Sequence, residues 1–105
     1  IIAVTAAKGT KIPGTAGFLD GEYETPFIKE FNQENRIDYT AVISLETAVN
    51  SVLDLRNKGV YAGIQTGGVV AGAVDAINEL GLTGEVVMIS GDSGWKNSDK
   101  LKSII

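Results

Sequence analysis

The chain has 105 residues, 44% hydrophobic and 21% charged, with a formal net charge of −4 and neither Cys nor His. A chain of this size sustains one core. Without thiol or imidazole there is no disulfide framework, no Ser-His-Asp triad and no metal held by sulfur or His, and the acidic balance argues against nucleic acid as a partner.

Ile1 to Ala6 is an apolar, strand-like run, and Gly9, Pro13, Gly14 and Gly17 turn the segment after it into a loop. No apolar run approaches the ~20 residues of a bilayer span, and Ile1 to Ala7 lacks a basic leader, so a membrane is not an expected partner. Phe18 to Asp38 is polar and acidic, with a short helix predicted from Pro26 to Asn32 because proline suits a first helical turn. Tyr39 to Ile43 reads as a second strand. Ser44 offers an N-cap oxygen, Glu46 adds negative charge to the first turn, and apolar residues recur at helical spacing from Leu45 to Leu55. The helix so predicted runs to Asn57, with Gly59 placed for a left-handed exit.

Val60 to Ile64 reads as a third strand, Gln65-Thr66-Gly67-Gly68 as a turn, and Val69 to Leu80 as a helix apolar nearly all round, closed by Gly81. Glu85 to Ser90 is the fourth predicted strand, followed by the turn Gly91-Asp92-Ser93-Gly94. Strands separated by helices of this length make βαβ units and a mostly parallel sheet of about four strands. The expected fold is therefore α/β, a parallel three-layer βαβ sheet in a single domain over 1–105. In such sheets ligands lie beyond the carboxyl ends of strands, which points to three Gly-rich loops: Ala7 to Gly17, Gln65 to Gly68 and Gly91 to Lys96. The apolar ends, and a start without Met, lead to the expectation that these residues are a piece of a longer chain.

Each candidate motif has a plainer explanation beside it. Thr66-Gly67-Gly68 offers amides and a hydroxyl to an anion, or is a glycine turn demanded by packing. Ser90 to Gly94 offers a polar cradle, or is an Asx turn closing a strand. Asp20, Glu22 and Glu24 lack the ligand spacing of a hard-metal loop and read as a solvated acidic segment. Lys96, Lys100 and Lys102 beside Trp95 read as a solvated terminal helix.

Three stretches in register carry a resemblance. Ile1-Ile2-Ala3-Val4 with Lys11-Ile12-Pro13-Gly14 resembles the strand and glycine loop before the active-site wall of cysteine synthases. Leu45-Glu46-Thr47-Ala48 through Gly59-Val60-Tyr61-Ala62-Gly63-Ile64-Gln65-Thr66-Gly67-Gly68 resembles their helix, strand and Ser-Ser-Gly turn. Val86-Val87-Met88-Ile89-Ser90-Gly91-Asp92-Ser93-Gly94 resembles their last core strand and loop, and Ser90-Gly91 is also similar to the tryptophan synthase β chain. The family is the fold type II pyridoxal-phosphate enzymes.

The resemblance implies the C-terminal portion of the large domain of such an enzyme, catalysing β-elimination or β-replacement on an amino acid. It assigns cofactor binding to Gln65, Thr66, Gly67, Asp92 and Ser93, and a substrate-side loop to Gly14, Thr15, Ala16 and Gly17. The family's Schiff-base lysine, Ser/Thr-Gly-Asn loop and phosphate cradle all precede the strand matching Ile1 to Ala6, so no catalytic residue is expected here and none of the seven lysines matches. The 105 residues alone are accordingly expected to be inactive, with no metal. Where the family places a hydroxyl against the pyridine nitrogen this chain has Gln65, then Thr66, and either can donate. The implied partners are an amino-acid substrate, the remainder of the catalytic domain and further copies in a homo-oligomer; the implied location is cytoplasmic. The competing expectation is a non-catalytic α/β binding module, and among enzymes a threonine synthase or tryptophan synthase β-type protein.

Overall fold

The computed structural model describes residues 1–15, 17 and 25–104. Asp20, Glu22 and Glu24, expected as a solvated acidic segment, and Ala16 of the substrate-side loop lie outside the described residues. Two strands, β1 (Ile2–Ala6) and β2 (Tyr39–Ile43), pair in parallel with Val4 opposite Ala41. Four helices accompany them: α1 (Pro26–Gln33), α2 (Leu45–Asn57), α3 (Ile64–Leu80) and α4 (Ser98–Ile104).

Local chemistry explains most boundaries. The Thr25 hydroxyl accepts from the Ile28 amide at the start of α1, and Pro26 takes the first helical position. The Ser44 hydroxyl accepts from the Thr47 amide at 3.1 Å to cap α2, and Gly59, at φ +88°, lets the chain leave it. Gly81 closes α3 in the left-handed conformation.

The core lies between β1, β2, α2 and α3, where Ala6, Ile43, Ala48, Val52 and Ile64 are almost wholly buried, joined by Leu101 of α4. Glycine sets how closely α3 approaches. A Cβ at Gly67 would lie 2.4 Å from the Ala48 carbonyl oxygen of α2, and one at Gly72 would lie 2.5 Å from Val4 Cγ2 of β1. Helical glycine costs about 1 kcal/mol relative to alanine, and here it is offset by backbone-close packing on two sides. On β2, the Tyr39 hydroxyl donates to Asp75 of α3 at 2.8 Å. That bond, with partial burial and the charges of Asp75 and Glu79, holds the Tyr39 phenol above its ordinary pKa.

The α/β class and the parallel pairing agree with expectation, but the sheet is smaller. Val60 to Ile64 is not a strand: Ala62 makes one antiparallel bridge to Ser93, and Ile64 already belongs to α3. Glu85 to Ser90 carries no assigned strand, and none of its residues takes part in a backbone–backbone hydrogen bond among the described residues. β propensity alone does not make a strand; a partner edge does. Among the described residues the expected four strands are therefore two. Among the described residues, α3 packs on both strands and α2 packs on α3. Helix α3 also begins five residues earlier than the predicted Val69, and the cause lies in the site.

Candidate functional site

At the start of α3, Gly63 is the N-cap and has no side chain to offer the first-turn amides. Those amides find partners far along the sequence. The Ile64 amide donates to Asn97 Oδ1 at 3.0 Å, the Gln65 amide to Asp92 Oδ2 at 3.1 Å and the Thr66 amide to Asp92 Oδ1 at 3.0 Å. The Gly67 amide donates to the Gly63 carbonyl at 3.0 Å, so all four amides that open the helix are satisfied. A carboxylate here also complements the positive end of the helix dipole. This remote capping is why Gln65 to Gly68 is helical and not a turn.

The cap admits nothing larger than glycine before it. A Cβ on Gly63 would sit 2.3 Å from the Asp92 carboxylate and 2.7 Å from Asn97 Oδ1. The Thr66 side chain is tied to the same loop: its hydroxyl is 2.7 Å from Asp92 Oδ1, 3.0 Å from the Asp92 carbonyl and 2.8 Å from Ser90 Oγ. A hydroxyl has one proton, and the charged oxygen at 2.7 Å takes it.

Gln65 is arranged differently. Its Oε1 accepts from the Gly91 amide at 3.1 Å, which fixes the amide's orientation because a backbone N–H faces only an acceptor. Nε2 then points its two protons elsewhere, and among the described residues it has no hydrogen-bond partner. The first loop closes on the same side chain. Pro13-Gly14 forms a tight turn in which the Thr15 amide donates to the Ile12 carbonyl, with Gly14 at φ +78°. A Cβ on Gly14 would lie 3.2 Å from Gln65 Cβ.

The three Gly-rich loops meet at Gln65, but not by the expected route: the parallel strands expected before the second and third loops are not present among the described residues, and Gln65 and Thr66 sit in a first helical turn. Gly14, Gln65, Thr66 and Asp92 are brought together. Thr15 and Gly17 stand at the margin, the former 4.0 Å from where a Gly68 Cβ would be, the latter against Ala6. Ser93 is exposed and contributes its backbone to the bridge with Ala62. Gly67 faces α2, and its amide belongs to the helix. The expectation that Thr66-Gly67-Gly68 offers free amides to an anion is corrected on this geometry, since Asp92 already fills that place. Sequence reasoning missed Asn97 and Gly63; the one available signal was a glycine where a side-chain cap is usual. Among the described residues no cluster of acidic side chains is arranged to hold a metal, and no helix is long and apolar enough to cross a membrane.

Neither a protein-family model nor a curated protein sequence matches this chain.

Proposed function

We propose that these residues form the ring-nitrogen side of a pyridoxal-phosphate site in a fold type II enzyme acting by β-elimination or β-replacement on an amino acid, similar to cysteine synthase. The observation that carries the reading is Gln65 Nε2, which has no partner among the described residues, on a side chain held by Gly91 and buttressed by Gly14 where three loops converge. An uncharged pyridine nitrogen is an acceptor and fits an amide donor. When bound, the cofactor supplies an electron sink for the substrate's α-carbon.

The chain's own part is positional. Gln65 donates to the ring nitrogen, Asp92 and Asn97 hold the first turn of α3 so that Gln65 has one orientation, and Gly14 lines the substrate side by backbone. Of the two donors open at the sequence level, Gln65 is favoured, because the Thr66 proton is spent on Asp92. The phosphate and the Schiff-base lysine have no counterpart here. The opening amides of α3 are occupied, and all seven lysines are exposed. In this reading both come from other residues of the same catalytic domain, which also cover Val86 to Ile89 in a homo-oligomeric, cytoplasmic enzyme. Val87 at 91% and Ile89 at 83% exposure suit such a cover.

A second reading, a non-catalytic α/β binding module, is favoured by the self-contained capping of α3. One experiment separates the two. Protein purified from the complete reading frame is assayed for bound pyridoxal phosphate by absorbance and for pyruvate release from a β-substituted alanine. Stoichiometric cofactor with pyruvate formation supports the enzyme; a protein that takes up no cofactor and releases no pyruvate is the binding module.

A further inference from the structure

On a face that shares no residue with the Gln65 cluster, α2, α4 and the loop before α4 enclose an open cleft of about 640 Å³, within the range of small-molecule sites. Its walls include Arg56, Lys102, Trp95, Tyr61 and Ser98, and Leu101, 1% exposed, packs beneath them. The chain as a whole is acidic, at −4, yet among the described residues this cleft is lined by two cations and no carboxylate. Neither cation is spent internally. Among the described residues the side chains of Arg56 and Lys102 make no ion pair and no hydrogen bond, and the one cation stacked on a ring is Arg36 over Phe31.

The aromatic wall is fixed before any ligand arrives. Gly94 is buried flat against Tyr61, where a Cβ would come within 2.3 Å of the ring, and Tyr61 meets Trp95 edge to face with centroids 5.3 Å apart. Trp95 nevertheless remains 77% exposed. A large aromatic surface left in water beside two unpaired cations matches a ligand that is flat at one end and anionic at the other.

We propose that this cleft binds a nucleoside monophosphate, the base stacking on Trp95 and the phosphate meeting Arg56 and Lys102. A doubly charged phosphate uses both cations, and a base has a face for the indole whatever its identity. Trp95 is the chain's one tryptophan, so its fluorescence reports on the cleft directly. The test titrates the chain with AMP, adenosine and ribose 5-phosphate while following that fluorescence. AMP should quench it saturably, with adenosine and ribose 5-phosphate each binding at least about tenfold more weakly. Arg56→Gln and Lys102→Gln, both at exposed positions, should each weaken AMP about tenfold with unchanged circular dichroism. Two results overturn the proposal: no saturable response to AMP, or equal AMP affinity in both variants and the parent.

Discussion

Replacing Asp92 with alanine isolates the interaction that builds the site. Asp92 accepts two first-turn amides of α3 and the Thr66 hydroxyl, at 3.1, 3.0 and 2.7 Å. Losing a side-chain cap costs about 1 kcal/mol, and removing a charge from a helix N-terminus about 0.3–1 kcal/mol more. Thr66 keeps the carbonyl of residue 92 at 3.0 Å and Ser90 Oγ at 2.8 Å, so its buried hydroxyl stays paired and adds no further penalty. The sum is about 1.3–2 kcal/mol, equivalent to a fall in Tm of roughly 5–10 °C for a domain of this size. Asp92→Asn keeps an acceptor and loses the charge, so it should show about half the effect. Thermal and urea unfolding followed by circular dichroism measure both variants. An Asp92→Ala protein within about 0.5 kcal/mol of the parent would refute the remote cap, since that is the scatter of an ordinary surface substitution.

Other expectations rest on single contacts. Ser44→Ala should lower stability by about 1 kcal/mol through loss of the α2 cap, and an unchanged urea midpoint would count against it. Gly67→Ala places a methyl against the Ala48 carbonyl, a backbone group that cannot rotate away; a loss of about 1–3 kcal/mol is expected, and a stabilised protein would contradict the α2–α3 approach. Tyr39 favours its neutral form more strongly when folded than when unfolded. Its bond to Asp75 therefore stabilises fully below the ordinary tyrosine range near ~10 and is lost as pH rises through the higher folded value. The stability gap between the parent and Tyr39→Phe should be flat from neutral pH to about pH 9 and shrink above it, and a gap that widens would reverse the sign. Bare Val87 and Ile89 should make the 105 residues self-associate, and sedimentation showing a stable monomer across concentration would oppose that.

Where a signal is local, the sequence carries it. Ser44 and Glu46 with their apolar spacing place α2 at Leu45–Asn57, the bounds observed, and Tyr39–Ile43 is strand in both. Gly59 and Gly81 leave their helices with positive φ because no other residue adopts it so readily. The start of α3 was not legible, because its caps come from Asp92 and Asn97, 26 to 33 residues away, and Gly67-Gly68 reads as a breaker until α2 is known to press against it. Glu85 to Ser90 has the composition of a strand, but pairing depends on an edge that composition does not supply. For the site, the three glycine loops were legible as loops, but what gathers them is the Gly91 amide and the Gly14 turn on Gln65 and not the expected four-stranded topology, and the choice between Gln65 and Thr66 needed the hydrogen bonds that commit the Thr66 proton.

The role proposed for Gln65 Nε2 is that of donor to the pyridine nitrogen. It is tested most directly by the absorbance spectrum of bound pyridoxal phosphate in protein from the complete reading frame, compared among the parent, Gln65→Ala and Thr66→Val. Gln65→Ala should shift the cofactor band and lower turnover with little loss of stability, and Thr66→Val should lower the unfolding midpoint and leave the band in place. A cofactor band unmoved in Gln65→Ala, or moved only in Thr66→Val, would contradict the account.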